Sequence, residues 1–357
     1  MKIGKYEIKH PIIQGGMGVG ISWDRLAGTV SYEGGLGVIS GVGTGYYKSN
    51  DYEIKTKKDK PVDVLNFYSK DALTTIINNA RKICGDAPLA CNILYACNDY
   101  GRIVKDACEA GINMIITGAG IPTNMPEFAK DFPDVALIPI VSSARALKLI
   151  CRKWKRYNRL PDAVIVEGPK SGGHQGFTYE QCFQEEYQLE NIVPPVIEEA
   201  KNWGNPPIIA AGGIWDKKDI DKFLDMGCAG VQMATRFIGT FECDADPVLK
   251  NVLVDANEDD IKLMKSPVGL PARGVMTNLQ KTLEEGTAPK VACISNCVAP
   301  CNRGKEAKIV GYCIADRLGA AYQGDLDTGL FFSGSNGYKL DKVISVHELM
   351  EKLTKGE

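Results

Sequence analysis

The sequence predicts an α/β fold, a (β/α)8 TIM barrel with a smaller C-terminal lobe. Three observations predict it. Eight short apolar runs recur along the first two thirds of the chain. They are continuously apolar rather than alternating, as parallel strands buried on both faces are. Helix-length amphipathic stretches separate them. Glycine-rich segments follow several runs at the end where a barrel carries its active site.

The eight candidate strands are Ile12–Gln14, Gly37–Ser40, Leu89–Leu94, Met114–Thr117, Val135–Val141, Ala163–Glu167, Ile208–Ala211 and Gly230–Met233. Between the fifth and sixth, Ala146, Leu147, Ile150, Cys151 and Trp154 share one helical face. Between the last two, Ile220, Phe223 and Leu224 do the same, with Asp216 as N-cap and Gly227 as the C-terminal stop. A doubly wound open sheet is the alternative, because strand order is not written in a single sequence. After Phe241 the pattern weakens. The expected division is residues 1–241 as barrel core, 242–311 as an inserted lobe with a cysteine cluster, and 312–357 as closing helices. The closing helices are expected over residues 312–323 and Ser345–Lys355. Lys55–Lys60 reads as a solvated loop.

The 357 residues are 44% hydrophobic and 24% charged, ordinary for a soluble globular protein. A net charge of −2 gives no reason to expect nucleic-acid or anionic-membrane binding. No apolar run reaches the roughly 18 residues that span a bilayer. The first ten residues lack the apolar core of a signal peptide, so a cytoplasmic location is expected. A small molecule is the expected ligand, and a homodimer the candidate assembly.

The chain has three histidines, His10, His174 and His347. His174 lies in Glu167-Gly168-Pro169-Lys170-Ser171-Gly172-Gly173-His174-Gln175-Gly176, directly after the sixth apolar run. Glycines there let backbone approach a ligand, and a histidine exchanges protons near neutral pH. Three more loops end strands in the same way: Gln14–Gly20, Ala210–Ile214 and the exit of the eighth strand, Gln232-Met233-Ala234-Thr235. Each alone reads as a tight turn. Four at equivalent strand ends point to a ligand site, and the loops after strands seven and eight are where barrels cradle phosphate. The first loop lacks the spacing of a dinucleotide fingerprint. His10 and His347 have no such setting and read as surface residues. An isomerase or aldolase on a bare barrel would instead draw on Lys170 and Glu167.

Pro11–Met17, Gly34–Gly37, Gly172–Gly176, Ala210–Ile214 and Val231–Phe237, in that order, resemble the nitronate monooxygenase family, also called 2-nitropropane dioxygenase. That family includes the FMN-type enoyl-acyl-carrier-protein reductases. Gly269–Arg273 extends the resemblance. It implies a barrel that holds FMN noncovalently. The phosphate is expected at Gly213 and at Gln232, Met233, Ala234 and Thr235. The ring system is expected near Gly16, Met17 and Asn92, with Ser171, Gly172 and Gly176 lining the site. Glycine is usual where this chain has Ala234. His174 is expected beside the substrate, to take the proton α to a nitro group or to orient a nitronate. The implied reaction is oxidation of a small alkyl nitronate, such as propionate-3-nitronate, by O2. The alternative is NAD(P)H-dependent reduction of an activated double bond.

Twelve cysteines are present, eight of them scattered, several within apolar segments such as Cys91, Cys151 and Cys228. Those eight are expected in the core. Cys293, Cys297 and Cys301 recur at four-residue spacing, with Cys313 downstream. Four thiolates suit a [4Fe–4S] cluster or, less well, zinc. Unliganded core thiols, reactive surface thiols and an oxidation-formed disulfide are the alternatives. An iron–sulfur centre would favour the reductase reading.

Overall fold

The apolar runs become eight parallel strands because each is buried on both faces. A computed structural model describes residues 1–47, 67–288, 291, 293 and 295–356. Lys55–Lys60 lies outside the described residues. The strands are β1 (Ile12–Gln14), β2 (Gly37–Ser40), β3 (Leu89–Leu94), β4 (Met114–Gly118), β5 (Ala136–Val141), β6 (Val164–Glu167), β7 (Ile208–Ala211) and β8 (Gly230–Met233). They pair in parallel in the order β1-β8-β7-β6-β5-β4-β3-β2. That order bends the sheet round until β2 meets β1, which makes the expected TIM barrel rather than the open sheet.

The seam between β1 and β2 is closed sparingly. Backbone pairing there is a single bridge, Ile13 with Leu36. The fully buried side chain of Gln14 extends it. Its Oε1 accepts from the Val38 N–H at 3.1 Å, and its Nε2 donates to the Val38 carbonyl at 3.3 Å. Gln14→Leu keeps the volume and removes both partners. The expected cost is about 1–3 kcal/mol for a buried backbone donor left unsatisfied. Thermal or urea unfolding reads it, and an unchanged midpoint would show that the seam holds without the carboxamide.

Strand alternation separates two packed layers. Ile13, Val38, Met114, Ile138, Ile165 and Ile209 fill the barrel interior. Ile3 and Ile8 plug its lower end, carried by the hairpin of Lys2–Ile3 with Tyr6–Glu7. Alternate residues such as Val164 and Val166 face the surrounding helices. Continuing the inward parity to the upper rim brings Asn92, Glu167 and Gln232 into the mouth. The interior is therefore apolar through its depth and polar at the C-terminal end.

The helices following the eight strands are α1 (Asp24–Tyr32), α2 (Lys70–Cys84), α3 (Tyr100–Glu109), α4 (Met125–Phe128), α5 (Ala144–Trp154), α6 (Leu189–Ala200), α7 (Lys217–Asp225) and α8 (Thr235–Ile238). α5 buries Leu147, Ile150, Cys151 and Trp154, the face its sequence predicts. At the start of α7 the Asp216 side chain accepts from the Asp219 N–H, and Gly227 follows its end at φ 95°. The positive φ is why glycine stands there.

After α8 come α9 (Pro247–Val254) and three antiparallel strands, Ile261–Met264, Ala272–Val275 and Phe331–Phe332. α10 (Asn278–Glu284), α11 (Lys305–Val310), α12 (Ile314–Tyr322) and α13 (Val346–Lys355) complete the chain. α13 returns to pack on α1 and α7. Among the described residues no helix is long and apolar enough to cross a membrane.

Candidate active site

The mouth is assembled by the loop after β6. Its first turn is fixed when the Gly168 N–H donates to the Ala211 carbonyl at 2.9 Å. Gln175 staples the turn, its Nε2 donating to the carbonyls of Ser171 (2.9 Å) and Gly173 (3.0 Å). Gly173, at φ 75°, reverses the chain into a two-residue strand, Gly173–His174. That strand pairs antiparallel with Ala272 and Arg273 of the lobe, His174 opposite Ala272.

His174 is thereby held by both parts of the molecule. Its Nε2 lies 2.8 Å from Ser266 Oγ, and its ring meets Phe332 edge-on at 5.3 Å between centroids. Burial pushes its pKa down to about 4, so the imidazole is neutral at physiological pH. Glu167 moves the other way. Burial raises its carboxyl to about 7, and neighbouring Ser171 opposes part of that rise. The rim thus carries a neutral base and a carboxyl that is protonated up to near neutrality.

The loops after β6, β7 and β8 come together as the sequence predicts, and a lobe segment clamps them. Thr235 Oγ1 accepts from the Gly334 N–H at 2.8 Å. Asn336 Nδ2 donates to the Gly213 carbonyl at 2.7 Å, and the Ser335 N–H to the Lys170 carbonyl at 3.0 Å. Gly212 and Gly213 take φ of 102° and 80°, which side chains other than glycine rarely adopt. On the adjoining rim the Gly15 N–H donates to the Met233 carbonyl at 2.9 Å. Gly16 lies against β3, where an added Cβ would stand 2.4 Å from Asn92 Cβ. Gly176 reaches toward Ser142, beyond the end of β5. Met17 is buried below the first loop, its N–H donating to Ser22 Oγ at 2.8 Å. Ala234 has φ −119°, outside the left-handed region, so alanine stands there without the strain that would call for glycine.

The rim at the loops after β7 and β8 is backbone and small side chains, a lining that lets a phosphate group approach closely. Gln232 Oε1 is buried in the mouth without a hydrogen-bond partner among the described residues. Buried acceptors are rarely left so, and a ligand donor is what it lacks.

Lys170 is exposed and lines a cleft with Gly212, Gly213, Lys222, Asn336 and Lys339, while Glu167 continues the inward parity of β6. His347 is exposed and bonds Glu33 at 3.0 Å, and His10 is half-buried. The eight scattered cysteines are all buried. Cys293, Cys297, Cys301 and Cys313 instead line one cavity with Ser295, Asn296, Val298, Gly304 and Ile314. Burial is the main reason the Cys297 thiol rises to about 11, and Cys313 and Cys293 add to it.

Ser266, Phe332 and the clamp Ser333–Asn336 were outside the sequence expectation. The run Ser333-Gly334-Ser335-Asn336-Gly337 is the one local sign, a small polar stretch of the kind that approaches other backbone closely.

A parallel barrel whose glycine-lined polar mouth lies at the C-terminal ends of its strands is the architecture of a TIM-barrel enzyme. The chain belongs to the nitronate monooxygenase family, whose profile matches residues 1–356. It is an FMN-dependent oxidoreductase of that family. A probable nitronate monooxygenase of Staphylococcus saprophyticus is 28% identical over 287 residues, covering 76% of this chain and 77% of the relative. The solved structure of FabK from Thermotoga maritima superposes with a TM-score of 0.72 at 28% identity, covering 98% of this chain and 93% of that one. A nitroalkane oxidase from Streptomyces ansochromogenes superposes with a TM-score of 0.67 at 19% identity, covering 97% and 95%. That last likeness speaks to the fold alone.

Proposed function

We propose that this enzyme oxidises small alkyl nitronates with O2, using FMN held across the barrel mouth. The observation that carries the proposal is a neutral His174 fixed at the rim of a glycine-lined cradle. Gly213 and residues Gln232, Met233, Ala234 and Thr235 would surround the phosphate end, with Gln232 Oε1 accepting from a flavin N–H or ribityl hydroxyl, since phosphate offers no donor. Gly16, Met17 and Asn92 would meet the ring system, with Ser171, Gly172 and Gly176 at its edge. Bound FMN would supply the acceptor for the substrate's electrons and their delivery to O2.

The remaining work belongs to the chain. A neutral imidazole accepts the proton α to a nitro group when the substrate arrives as a nitroalkane. When it arrives already as the anionic nitronate, the same ring places an N–H against a nitro oxygen. Ser266 and Phe332 fix the ring plane in either case. The Ala272 strand covers one side of the mouth and limits water there.

A second reading is NAD(P)H-dependent reduction of an activated double bond. What favours it is the likeness to FabK, which takes in the lobe as well as the barrel. Anaerobic stopped-flow mixing separates the two. On the first reading propionate-3-nitronate bleaches the flavin and O2 restores it, whereas NADH and NADPH leave it oxidised. Rapid bleaching by a nicotinamide, with none by nitronate, would overturn the first reading and select the second.

A further inference from the structure

We propose that Cys293, Cys297, Cys301 and Cys313 bind a [4Fe–4S] cluster. The carrying observation is convergence. Two loop turns and the residue preceding α12 bring four sulfur-bearing residues to the wall of one cavity. Core packing does not explain them, since Cys293 and Cys297 are only half-buried while all eight scattered cysteines are buried.

The backbone around the cavity is shaped for wrapping. Asn296 and Asn302 take left-handed φ of 48° and 44°, and Gly304 takes 86°. A Cβ added to Gly304 would stand 2.9 Å from Cys293 Cβ, so glycine lets the two turns close on each other. The turn at Asn296 points its N–H back to Cys293 Sγ at 3.3 Å. Hydrogen bonds of that kind stabilise charge on a ligating sulfur. Cys313 is the N-cap of α12, where the helix dipole favours the negative charge of a thiolate-ligated cluster. Tyr46, Phe67 and Val291 pack around Cys297 and Cys313 and shield that side from water.

Four thiolates are the ligand set of a [4Fe–4S] cluster and also of tetrahedral zinc, and acid-labile sulfide separates the two. Among the described residues no group of three or more His, Cys, Asp or Glu side chains is already gathered round one point, so the four sulfurs would draw in on binding.

The site has a defined place in the fold. The loop holding Cys297 is laid against the connection from β3 to α3. Val298 bridges Cys97, the Asn98 N–H donates to the Cys297 carbonyl at 3.1 Å, and the Ala299 N–H donates to the Ala96 carbonyl at 2.9 Å. Ala96 is four residues beyond Asn92, a span of at most about 14 Å. The cysteines therefore sit at the same end of the barrel as the mouth.

The test uses the full chain, purified and reconstituted anaerobically with ferrous iron and sulfide. Iron, acid-labile sulfide, zinc and FMN are measured on the same sample. The expected result is about four irons and four sulfides per chain, and an EPR signal after dithionite reduction. Cys297→Ala and Cys301→Ala are expected to lose most of the iron and keep FMN, while Cys228→Ala keeps both. Zinc without sulfide, no metal in a sample with full FMN, or full iron in the cysteine variants would each overturn the proposal. If a cysteine variant fails to fold, the iron, sulfide and EPR data on the unsubstituted chain decide alone. FMN content reports on the barrel mouth separately, so this proposal and the nitronate reading fail independently.

Discussion

His174→Asn is expected to keep FMN and to lower turnover by about 10²–10⁴-fold, the range for losing a positioned proton-transfer group. Asparagine stays polar but ends at the level of Nδ1, short of the Nε2 that meets Ser266. It cannot accept a proton from carbon. The loss should therefore be larger with a neutral nitroalkane than with a preformed nitronate, where the ring only orients. FMN per chain and kcat on both substrates are the measurements. Full activity on both would remove His174 from the chemistry.

The same variant has a signature in stability. Folded His174 stays neutral down to about pH 4, while the unfolded chain binds that proton near 6.5. The unfolded state holds more protons between those values, so this group makes the fold less stable as pH falls from 6.5 to 4. Glu167 acts oppositely. Its folded carboxyl holds a proton to about pH 7 and its unfolded one to 4.5, so its contribution is complete below 4.5 and lost as pH rises to 7. Removing His174 leaves the second slope and deletes the first. The urea-midpoint difference between the parent and the variant should therefore grow in the parent's favour from pH 4 to 6.5. A constant difference would mean that the imidazole is not shielded from water.

Gly172→Ala is expected to unseat the clamp over the mouth. The added Cβ would lie 2.7 Å from Gly334 N and Ser333 C and 3.2 Å from Ser333 Cα. Those atoms are backbone and have no rotamer to escape into. The segment they belong to also bonds Thr235 and Gly213, so the strain passes to the expected phosphate cradle. The expected cost is about 1–3 kcal/mol of stability. If a similar part falls on the cofactor, FMN binds roughly tenfold more weakly for each 1.4 kcal/mol. Flavin fluorescence titration and urea unfolding read the two effects. Gly286→Ala is the control, because its site has positive φ but nothing within 4 Å. It should lose some stability and no FMN affinity. Equal FMN affinity in the two variants would show that the clamp does not shape the cradle.

The barrel was legible because burial on both faces writes itself locally. β1, β2, β3, β7 and β8 have the expected ends, and β4, β5 and β6 differ by one residue at one end. The glycine loops were legible for the same reason, since φ and close approach are local demands. The Gln14 seam was not, because a side chain that completes a ladder depends on two strands meeting across the closure. Ser266 and Phe332 were invisible for a related reason. They reach His174 only through antiparallel pairing between segments far apart in the chain, and the Ser266 contact alone spans 92 residues. No periodicity near either partner announces it. The cysteines fall between these cases. Their spacing singled them out, but which loop turns bring them to one cavity is a property of the fold.

The pairing of His174 with Ala272 makes the histidine part of the lobe's sheet while its loop springs from the barrel. The same lobe also grips the loops after β7 and β8 through Gly334 and Asn336. A chimaera that exchanges only the lobe would therefore turn the ring and reshape those loops in one step. In a lineage, the two could change only together.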